Sequence, residues 1–391
     1  MVIGPTVSNL RDIPIRPQKL LFDASVLRPD GKGAARYVHC LLREYARLRP
    51  PDLEIVVLAH PVGKECIADW DNESIWDEFL WIEVPFTSEH RWRLLELPLR
   101  ARALSASLIH VPVEAPVGPL SSPFVLTVHE NPDVRHRLVE WSELSVKERI
   151  SYSITGYLTP WTARRADRVL AVSQAVADEV SAEWDLEPTR VSVAYEAADE
   201  HFFDGSGQIP ALRDVRDGYL LMFSTGDPRE DIETVFAAYA AAKPAQALVV
   251  AGHHPNYSLL YSAAQRHGIF EDCHFIGRVP EGDLPALYAS ATIYLEMTSY
   301  EGFGLQVPEA MAAGTNVIAS NLPVLREVAA DGAMYVIRRD AEALCNSINM
   351  ILIDSKLRAS LSKRAIARAQ SFSWRRCAEK TLAVYRQVLD I

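Results

Sequence analysis

Two glutamates, Glu301 and Glu309, stand on either side of a glycine-rich segment, EGFGLQVPE, within residues 298–321. The glycines let the main chain approach a ligand closely, and a glycine loop that leads into a helix suits a phosphate or another oxyanion. Ionised carboxylates only accept hydrogen bonds, so the hydroxyls of a sugar or a ribose are good partners for them. An ordinary strand-to-helix turn with solvated glutamates explains the same spacing, because glycine motifs without context are weak.

The rest of this segment predicts how the two glutamates are positioned. Pro308 suits the first turn of a helix, because the N–H that proline lacks is not needed there. Gly314 favours the end of that helix. The apolar run 316–319 predicts a buried parallel strand. The segment is therefore expected to form a strand end, a loop, a short helix and a second strand.

Length and composition are typical of a globular protein with two domains. The chain has 391 residues, which is too many for one ordinary core. Hydrophobic residues make up 49% of it and charged residues 23%, and no run of about eighteen apolar residues predicts a membrane span. The net charge of −11 argues against general binding to nucleic acid or to an anionic membrane.

The cysteines and histidines predict neither disulfides nor a metal site. The five cysteines are scattered and odd in number, which favours reduced thiols in a cytoplasmic protein. Residues 1–18 lack the apolar core of a signal peptide. His253 and His254 are adjacent but have no third ligand nearby, so no metal site is predicted.

Strand, loop and helix signals alternate along both halves of the chain. An apolar strand at 19–23 leads into Gly31-Lys32-Gly33 and helical spacing at 34–48, which is the first unit of a doubly wound sheet. A charged stretch at 199–217 is the predicted linker between the domains. Further strands are predicted at 53–59, 79–84, 108–113, 124–129, 191–195, 219–224, 247–252, 293–297 and 316–319.

Residues 90–104 are rich in arginine and have an apolar face interrupted by Pro98. A basic amphipathic helix can lie on the surface of a membrane. It can also cover a sheet with its apolar face, and the short, broken pattern favours this second interpretation. Weak peripheral contact with the inner face of a membrane therefore stays open as an alternative to a purely cytoplasmic location.

The segment EGFGLQVPEAMAAG resembles the donor-binding motif of the family 4 retaining glycosyltransferases, which have the GT-B fold, and other segments in the same order extend the resemblance over nearly the whole chain. It implies an α/β protein with two doubly wound, Rossmann-like domains and a cleft between them. Residues 1–200 would form the acceptor domain, together with a C-terminal helix at 375–391 that crosses back onto it. Residues 201–374 would form the nucleotide-sugar donor domain.

The resemblance also implies roles for individual residues. His129, in Thr127-Val128-His129-Glu130, matches a histidine at the family's reaction centre, although Glu130 replaces the usual aspartate. His129, by hydrogen bonding or proton transfer, and Glu301, on the hydroxyls of the donor sugar, are the catalytic candidates, and Glu309 would hold the ribose. The implied donor-binding residues are Gly31, Gly33, Arg229, Gly277, Arg278, Gly302, Phe303, Gly304, Leu305 and Glu309.

The implied reaction moves a sugar from a nucleotide diphosphate donor to a hydroxyl of a glycan, a lipid-linked or a small-molecule acceptor, in the assembly of a glycan, polysaccharide or glycoconjugate. It needs no metal and no cofactor. Two other interpretations stay open, namely a GT-B isomerase or phosphorylase and a non-catalytic paralogue that binds a sugar nucleotide. The interpretation as a non-catalytic paralogue is favoured by Thr225 and Glu230, which stand where most relatives carry an arginine and a lysine for the diphosphate. Either Arg229 replaces that charge, or the donor binds differently, or the activity is weak.

Overall fold

The structure is a computed structural model that describes residues 17–28, 33–63, 77–138, 144–205, 209, 212, 215, 218–227 and 229–391. Its strands are β1 Gln18–Asp23, β2 Leu53–Ala59, β3 Leu80–Glu83, β4 Leu108–Val111, β5 Phe124–Val128, β6 Arg168–Ala171, β7 Val191–Val193, β8 Tyr219–Phe223, β9 Ala247–Ala251, β10 Cys273–Gly277, β11 Ala291–Glu296, β12 Asn316–Ser320 and β13 Ala333–Val336.

The helices among these residues alternate with the strands. They are α1 Gly33–Leu48, α2 in the three segments Glu89–Arg91, Trp92–Glu96 and Leu97–Ala103, α3 Pro132–Arg137, α4 Val146–Arg165, α5 Gln174–Glu183, α6 Ile232–Ala242, α7 Tyr257–Arg266, α8 Leu284–Ser290, α9 Gln306–Ala312, α10 Pro323–Ala329, α11 Ala341–Ile353, α12 Ser355–Ala369 and α13 Trp374–Leu389. Short 3-10 turns lie at Pro188–Arg190, Glu200–Phe203, Phe270–Asp272 and Glu281–Asp283.

Within the described residues the strands form two sheets, and all of their pairings are parallel. The first sheet has the order β3-β2-β1-β4-β5-β6-β7 and the second the order β10-β9-β8-β11-β12-β13. In both, the strand order reverses next to the first strand. Ligands of doubly wound sheets bind beyond the carboxyl ends of the strands at such a switch point. The predicted fold of two doubly wound α/β domains is confirmed.

Helices cover both faces of each sheet, and for this reason the central strands are almost entirely apolar. Leu20, Leu21 and Phe22 in β1 have no exposed surface, and all five residues of β5 are buried. The predicted linker at 199–217 is described only in part, with the 3-10 turn Glu200–Phe203 near its start, and the domain limits 1–200 and 201–374 stay a prediction.

The arginine-rich segment forms α2, which continues past Pro98 and is not interrupted there as the sequence predicted. Its middle part has π-helical geometry, and Gly118 N donates to Arg93 O (3.1 Å) in the turn before Pro98. Arg93 turns inward to the buried carboxylate of Asp23. No helix among the described residues is long and apolar enough to cross a membrane.

Helix α13 packs on the first sheet through a chain of buried hydrogen bonds. The Tyr45 hydroxyl donates to the Tyr385 hydroxyl (3.0 Å), which donates to Nδ1 of His110 (2.5 Å). Nε2 of His110 lies 2.8 Å from Oγ1 of Thr127. Burial lowers the pKa of His110 to about 3, so its ring is neutral and can accept at one nitrogen while it donates at the other.

Replacing Tyr385 by phenylalanine removes the middle of this chain. The buried Nδ1 of His110 loses its donor, which costs about 1–3 kcal/mol. We expect the midpoint of urea or thermal unfolding to fall accordingly. Tyr157→Phe, at a side chain that is 80% exposed, is the matched control and should leave the midpoint unchanged. Equal midpoints for the two variants would contradict the structural role of the buried chain.

Candidate functional site

The two loops at the switch point of the second sheet are joined by backbone hydrogen bonds. The loop after β8 ends with Asp231 N donating to Met297 O (2.9 Å), and Ser299 N in the loop after β11 donates to Arg229 O (2.9 Å). Arg229 is thereby held beside Glu301. Both residues line a pocket of about 80 Å³, together with Thr225, Asp227, Glu296 and Gln306.

Arg229 is enclosed by carboxylates from both domains. Its Nε and Nη2 donate to Asp227 (2.8 and 3.0 Å), and its Nη1 donates to Glu130 of the first domain (2.8 Å). Nη1 also lies 3.9 Å from Glu301. Burial lowers the pKa of the guanidinium, but the carboxylates raise it by more than burial lowers it. The pKa therefore lies above its ordinary value, and Arg229 stays charged. One cation therefore links the predicted sugar-binding Glu301 to the residue that follows His129.

Glu230, which the sequence placed against the donor diphosphate, is turned into its own loop. Its carboxylate accepts from the Ser224 hydroxyl (2.8 Å) and from the backbone N and hydroxyl of Thr225 (2.7 and 2.9 Å). The glutamate thus closes the turn with three hydrogen bonds. It adds negative charge to the pocket without pointing freely into it.

Glu309 is 2% exposed and binds an arginine from the first domain. Arg36, in α1, donates through Nη1 to Oε1 of Glu309 and forms a second ion pair with Glu281. The Tyr288 hydroxyl donates to Oε2 of Glu309 (3.2 Å). Burial raises the pKa of Glu309 to about 7, although Arg36 and Tyr288 favour the ionised form.

Gly302 and Gly304 fit the loop for different reasons. A Cβ at residue 302 would lie 1.6 Å from the carbonyl oxygen of His129, so a glycine is required where the two domains meet. Ser173 Oγ donates to Gly302 O (2.7 Å) and fixes the same contact. Gly304 has φ +74°, a conformation that side chains rarely adopt.

His129 is held by the first domain at both ring nitrogens. Nδ1 lies 3.0 Å from Oε1 of Glu196, and Nε2 lies 2.9 Å from the carbonyl oxygen of Pro112. Burial opposes the charge on the ring, but Glu196, Glu114 and the Pro112 carbonyl raise its pKa to about 9. With both nitrogens protonated, His129 in this arrangement is a fixed positive charge beside the cleft and not a free base.

The pocket carboxylates titrate near neutrality. Burial, assisted by the neighbouring charges of Glu296, Glu130 and Asp227, raises the pKa of Glu301 to about 8, against the pull of Arg229. Burial likewise raises the pKa of Glu296 to about 7. A protonated Glu301 can donate one hydrogen bond as well as accept others, which suits a sugar hydroxyl that does both.

The remaining predicted residues lie at the same edge of the two sheets. Gly33 approaches Leu305 across the cleft, with 3.9 Å between the position of a Cβ on Gly33 and Cδ1 of Leu305. Phe303 is buried and packs against Phe372. Gly277 ends β10 and accepts from Gly252 N, whereas Arg278 is exposed. Gly31 lies outside the described residues.

The sequence missed Arg36 and Tyr288 as members of the site, although Arg36 is visible one turn after the Gly31–Gly33 loop. It also missed Glu327, whose carboxylate accepts from the backbone N of Gln174 and of Ala175 (2.6 and 2.9 Å) at the start of α5. These residues could not be identified from local sequence patterns, because each pairs with a group from the other half of the chain or from another element.

Two doubly wound domains that meet across these loops define a GT-B glycosyltransferase fold. Two family models match different halves of the chain, glycosyltransferase family 4 at residues 31–202 and glycosyl transferases group 1 at residues 210–368. The chain belongs to this family of group 1, family 4 glycosyltransferases. The resemblance seen in the sequence is confirmed.

Two curated relatives are mannosyltransferases. O-antigen chain mannosyltransferase B of Escherichia coli is 32% identical over 174 residues, which cover 43% of this chain and 46% of the relative. MMP alpha-(1->4)-mannosyltransferase of Mycolicibacterium hassiacum is 27% identical over 286 residues, covering 70% of this chain and 67% of the relative. The chain spans less than half the length of the first curated relatives that it matches.

Among solved structures, the Anabaena protein HepE in complex with UDP-glucose matches with a TM-score of 0.70. The sequences are 17% identical, and the match covers 94% of this chain and 99% of that chain. At this identity the similarity shows the fold alone, and the fold agrees with the family assignment.

Gly302→Ala is expected to separate the two domains. The His129 carbonyl would have to retreat by about 1.4 Å, from 1.6 Å to the 3.0 Å below which Cβ contacts are essentially never found. Small-angle X-ray scattering should show a larger radius of gyration for this variant. Gly282→Ala is the matched control, because nothing lies within 4 Å of a Cβ there. Superimposable scattering curves for the wild type and Gly302→Ala would contradict the close approach.

The raised pKa of His129 predicts a loss of stability in alkaline solution. The folded protein keeps the ring proton up to about pH 9, whereas the unfolded chain releases it near 6.5. The contribution of this proton is therefore complete below pH 6.5 and is lost as the pH rises towards 9, by up to about 3 kcal/mol. Urea unfolding at pH 6 and pH 9 should show a smaller difference for His129→Gln and for Glu196→Gln than for the wild type. The same difference between pH 6 and pH 9 in the wild type and in both variants would contradict a protonated His129 ring in the folded protein.

Proposed function

We propose that the protein transfers a sugar from a nucleoside diphosphate sugar to an acceptor hydroxyl, with retention of configuration at the anomeric carbon. The observation that carries this proposal is the position of Glu301, in the loop after β11, and of Glu309, in α9, at the switch point of the second sheet, against α1 and the His129 segment of the first domain. Family membership supports it. The mannosyltransferases among the relatives and the UDP-glucose complex of HepE support a hexose and a nucleotide donor.

The two carboxylates take separate parts of the donor. Glu309 accepts hydrogen bonds from the ribose hydroxyls, in a position where Tyr288 already orients it. Glu301, with its raised pKa, exchanges hydrogen bonds with the hydroxyls of the sugar to be transferred. The acceptor reaches the sugar from the first domain, and a glycan, a lipid-linked or a small-molecule hydroxyl compound would fulfil this role.

The reaction proceeds on one face of the sugar, without a covalent glycosyl-enzyme. The acceptor hydroxyl attacks the anomeric carbon while the bond to the diphosphate breaks, and its proton passes to the departing phosphate oxygen. The charged ring of His129 beside the cleft favours the developing negative charge. In the proposed reaction no metal ion takes part. The contact of Gly302 with His129 excludes water from the donor.

One observation favours a second function, the non-catalytic binding of a sugar nucleotide. Asp227, Glu130 and Glu301 surround Arg229, so the positive charge of this arginine is already paired and offers less attraction to a bound diphosphate. A protein of this second kind would bind a nucleotide sugar without transferring or hydrolysing it. Isothermal titration followed by an assay for nucleoside diphosphate release separates the two functions.

Glu309→Gln tests the donor site directly. The amide keeps only one accepting oxygen for the ribose hydroxyls, and its NH2 group faces the donors that the second oxygen of Glu309 bound, so we expect at least tenfold weaker binding of nucleoside diphosphate sugars. The measurement is a thermal-shift screen of UDP-, GDP- and ADP-sugars followed by titration of the best ligand, with NMR of the product anomer for transfer. Glu233→Gln, at a carboxylate that is 59% exposed, is the control. Unchanged affinity in Glu309→Gln would contradict the assignment of Glu309 to the donor site.

A further inference from the structure

The proposed donor carries a diphosphate whose charge must be balanced. In the second domain Arg229 lines the pocket, and it is already bound by Asp227, Glu130 and Glu301. Thr225 and Glu230 add no positive charge, because one is neutral and the other is a carboxylate held in its own loop. At this pocket the second domain therefore offers a diphosphate only an arginine that is already paired with carboxylates, so positive charge from the first domain would assist binding.

The first domain offers a second arginine at the same edge of the cleft. Arg36 is the fourth residue of α1, and the start of this helix, at Gly33, already approaches Leu305. Its guanidinium crosses the cleft and reaches Glu309 and Glu281, both of which belong to the second domain. The side chain of Arg36 is 21% exposed, so part of it is accessible to a ligand in the cleft.

We propose that Arg36 is a donor-binding residue that supplies positive charge to the diphosphate from the first domain. This inference rests on the proposed function, in which Glu309 holds the ribose. When ribose hydroxyls donate to Glu309, they replace the hydrogen bond that Arg36 makes there. The freed guanidinium N–H groups then turn to the phosphate next to that ribose, while Glu281 keeps the side chain in place.

The chemistry of the two partners fits this exchange. A guanidinium presents a planar fork of N–H donors that matches phosphate oxygens in the same way as a carboxylate. The exchange also avoids leaving Glu309 unpaired, because a hydroxyl donor replaces each hydrogen bond that Arg36 gives up. Arg36 thereby makes binding of the nucleotide depend on the first domain being closed over it.

A purely structural role for Arg36 makes the opposite prediction. If the arginine only blocks Glu309, its removal should strengthen binding of every ligand that contains the ribose, with or without phosphate. The ratio of the affinity for a nucleoside diphosphate to the affinity for its nucleoside distinguishes these roles. The contacts of the base and the ribose are common to both ligands and cancel in this ratio, which leaves the contribution of the phosphates.

The experiment measures dissociation constants for uridine and UDP, and for guanosine and GDP, by NMR or calorimetric titration of the full chain. The variants are Arg36→Gln and Arg36→Lys, with Arg266→Gln as the control, since Arg266 is 60% exposed and pairs with Glu233. In Arg36→Gln we expect the affinity gained from the diphosphate to fall roughly tenfold to hundredfold. Arg36→Lys should lose less, because it keeps the charge without the fork, and Arg266→Gln should match the wild type.

An unchanged ratio of nucleoside to diphosphate affinity in both Arg36 variants overturns the inference while the proposed function stands. Tighter binding of nucleoside and diphosphate alike in Arg36→Gln also overturns it and assigns Arg36 the blocking role. If Arg36→Gln does not fold, as judged by circular dichroism and its melting temperature, the ratio in Arg36→Lys decides. A wild type that binds none of the UDP-, GDP- and ADP-sugars of the thermal-shift screen contradicts the proposed function itself.

Discussion

The contact on which the site depends is the backbone of Gly302 against the carbonyl group of His129. At this point the two domains approach each other with no side chain between them, and the charged pairs of the cleft form around it. Arg229 reaches Glu130 on one side, and Arg36 reaches Glu309 on the other. A separation of 1 Å would weaken all of these pairs together, because charge-assisted hydrogen bonds require short distances. The geometry of one peptide unit thus controls the electrostatics of the whole cleft.

Buried carboxyl groups with raised pKa values determine the chemical character of the cleft. Burial raises the pKa values of Glu301, Glu296 and Glu309 to between about 7 and 8, so small changes in the surroundings shift their protonation near neutral pH. A site of this kind forms hydrogen bonds with sugar hydroxyls without a full desolvated charge at every position. The buried carboxylates pair with arginines that come from both domains. Ligand binding is therefore coupled to domain closure.

The sequence predicted most of the fold because its strands are buried on both faces. The apolar run at 53–59 was expected as a strand and forms β2 with the same limits, whereas the short, half-buried β13 gave no comparable pattern. The spacing of Glu301 and Glu309 was visible as a motif. The ion pair between Arg36 and Glu309 was not, because it joins residues 273 positions apart. The orientation of Glu230 was equally hidden, since tertiary hydrogen bonds determine it.

Helix α13 has a consequence for the order in which the molecule is completed. The hydroxyl of Tyr385, which joins Tyr45 to His110 in the first domain, lies after the second domain in the chain, so the ribosome adds it later than that domain. The sheet of the second domain ends at Val336 and leaves the exit tunnel earlier. Domains usually mature from the N-terminus during translation. In this chain the first domain receives helix α13 only after the sheet of the second domain has been synthesised, so its core is completed after that sheet.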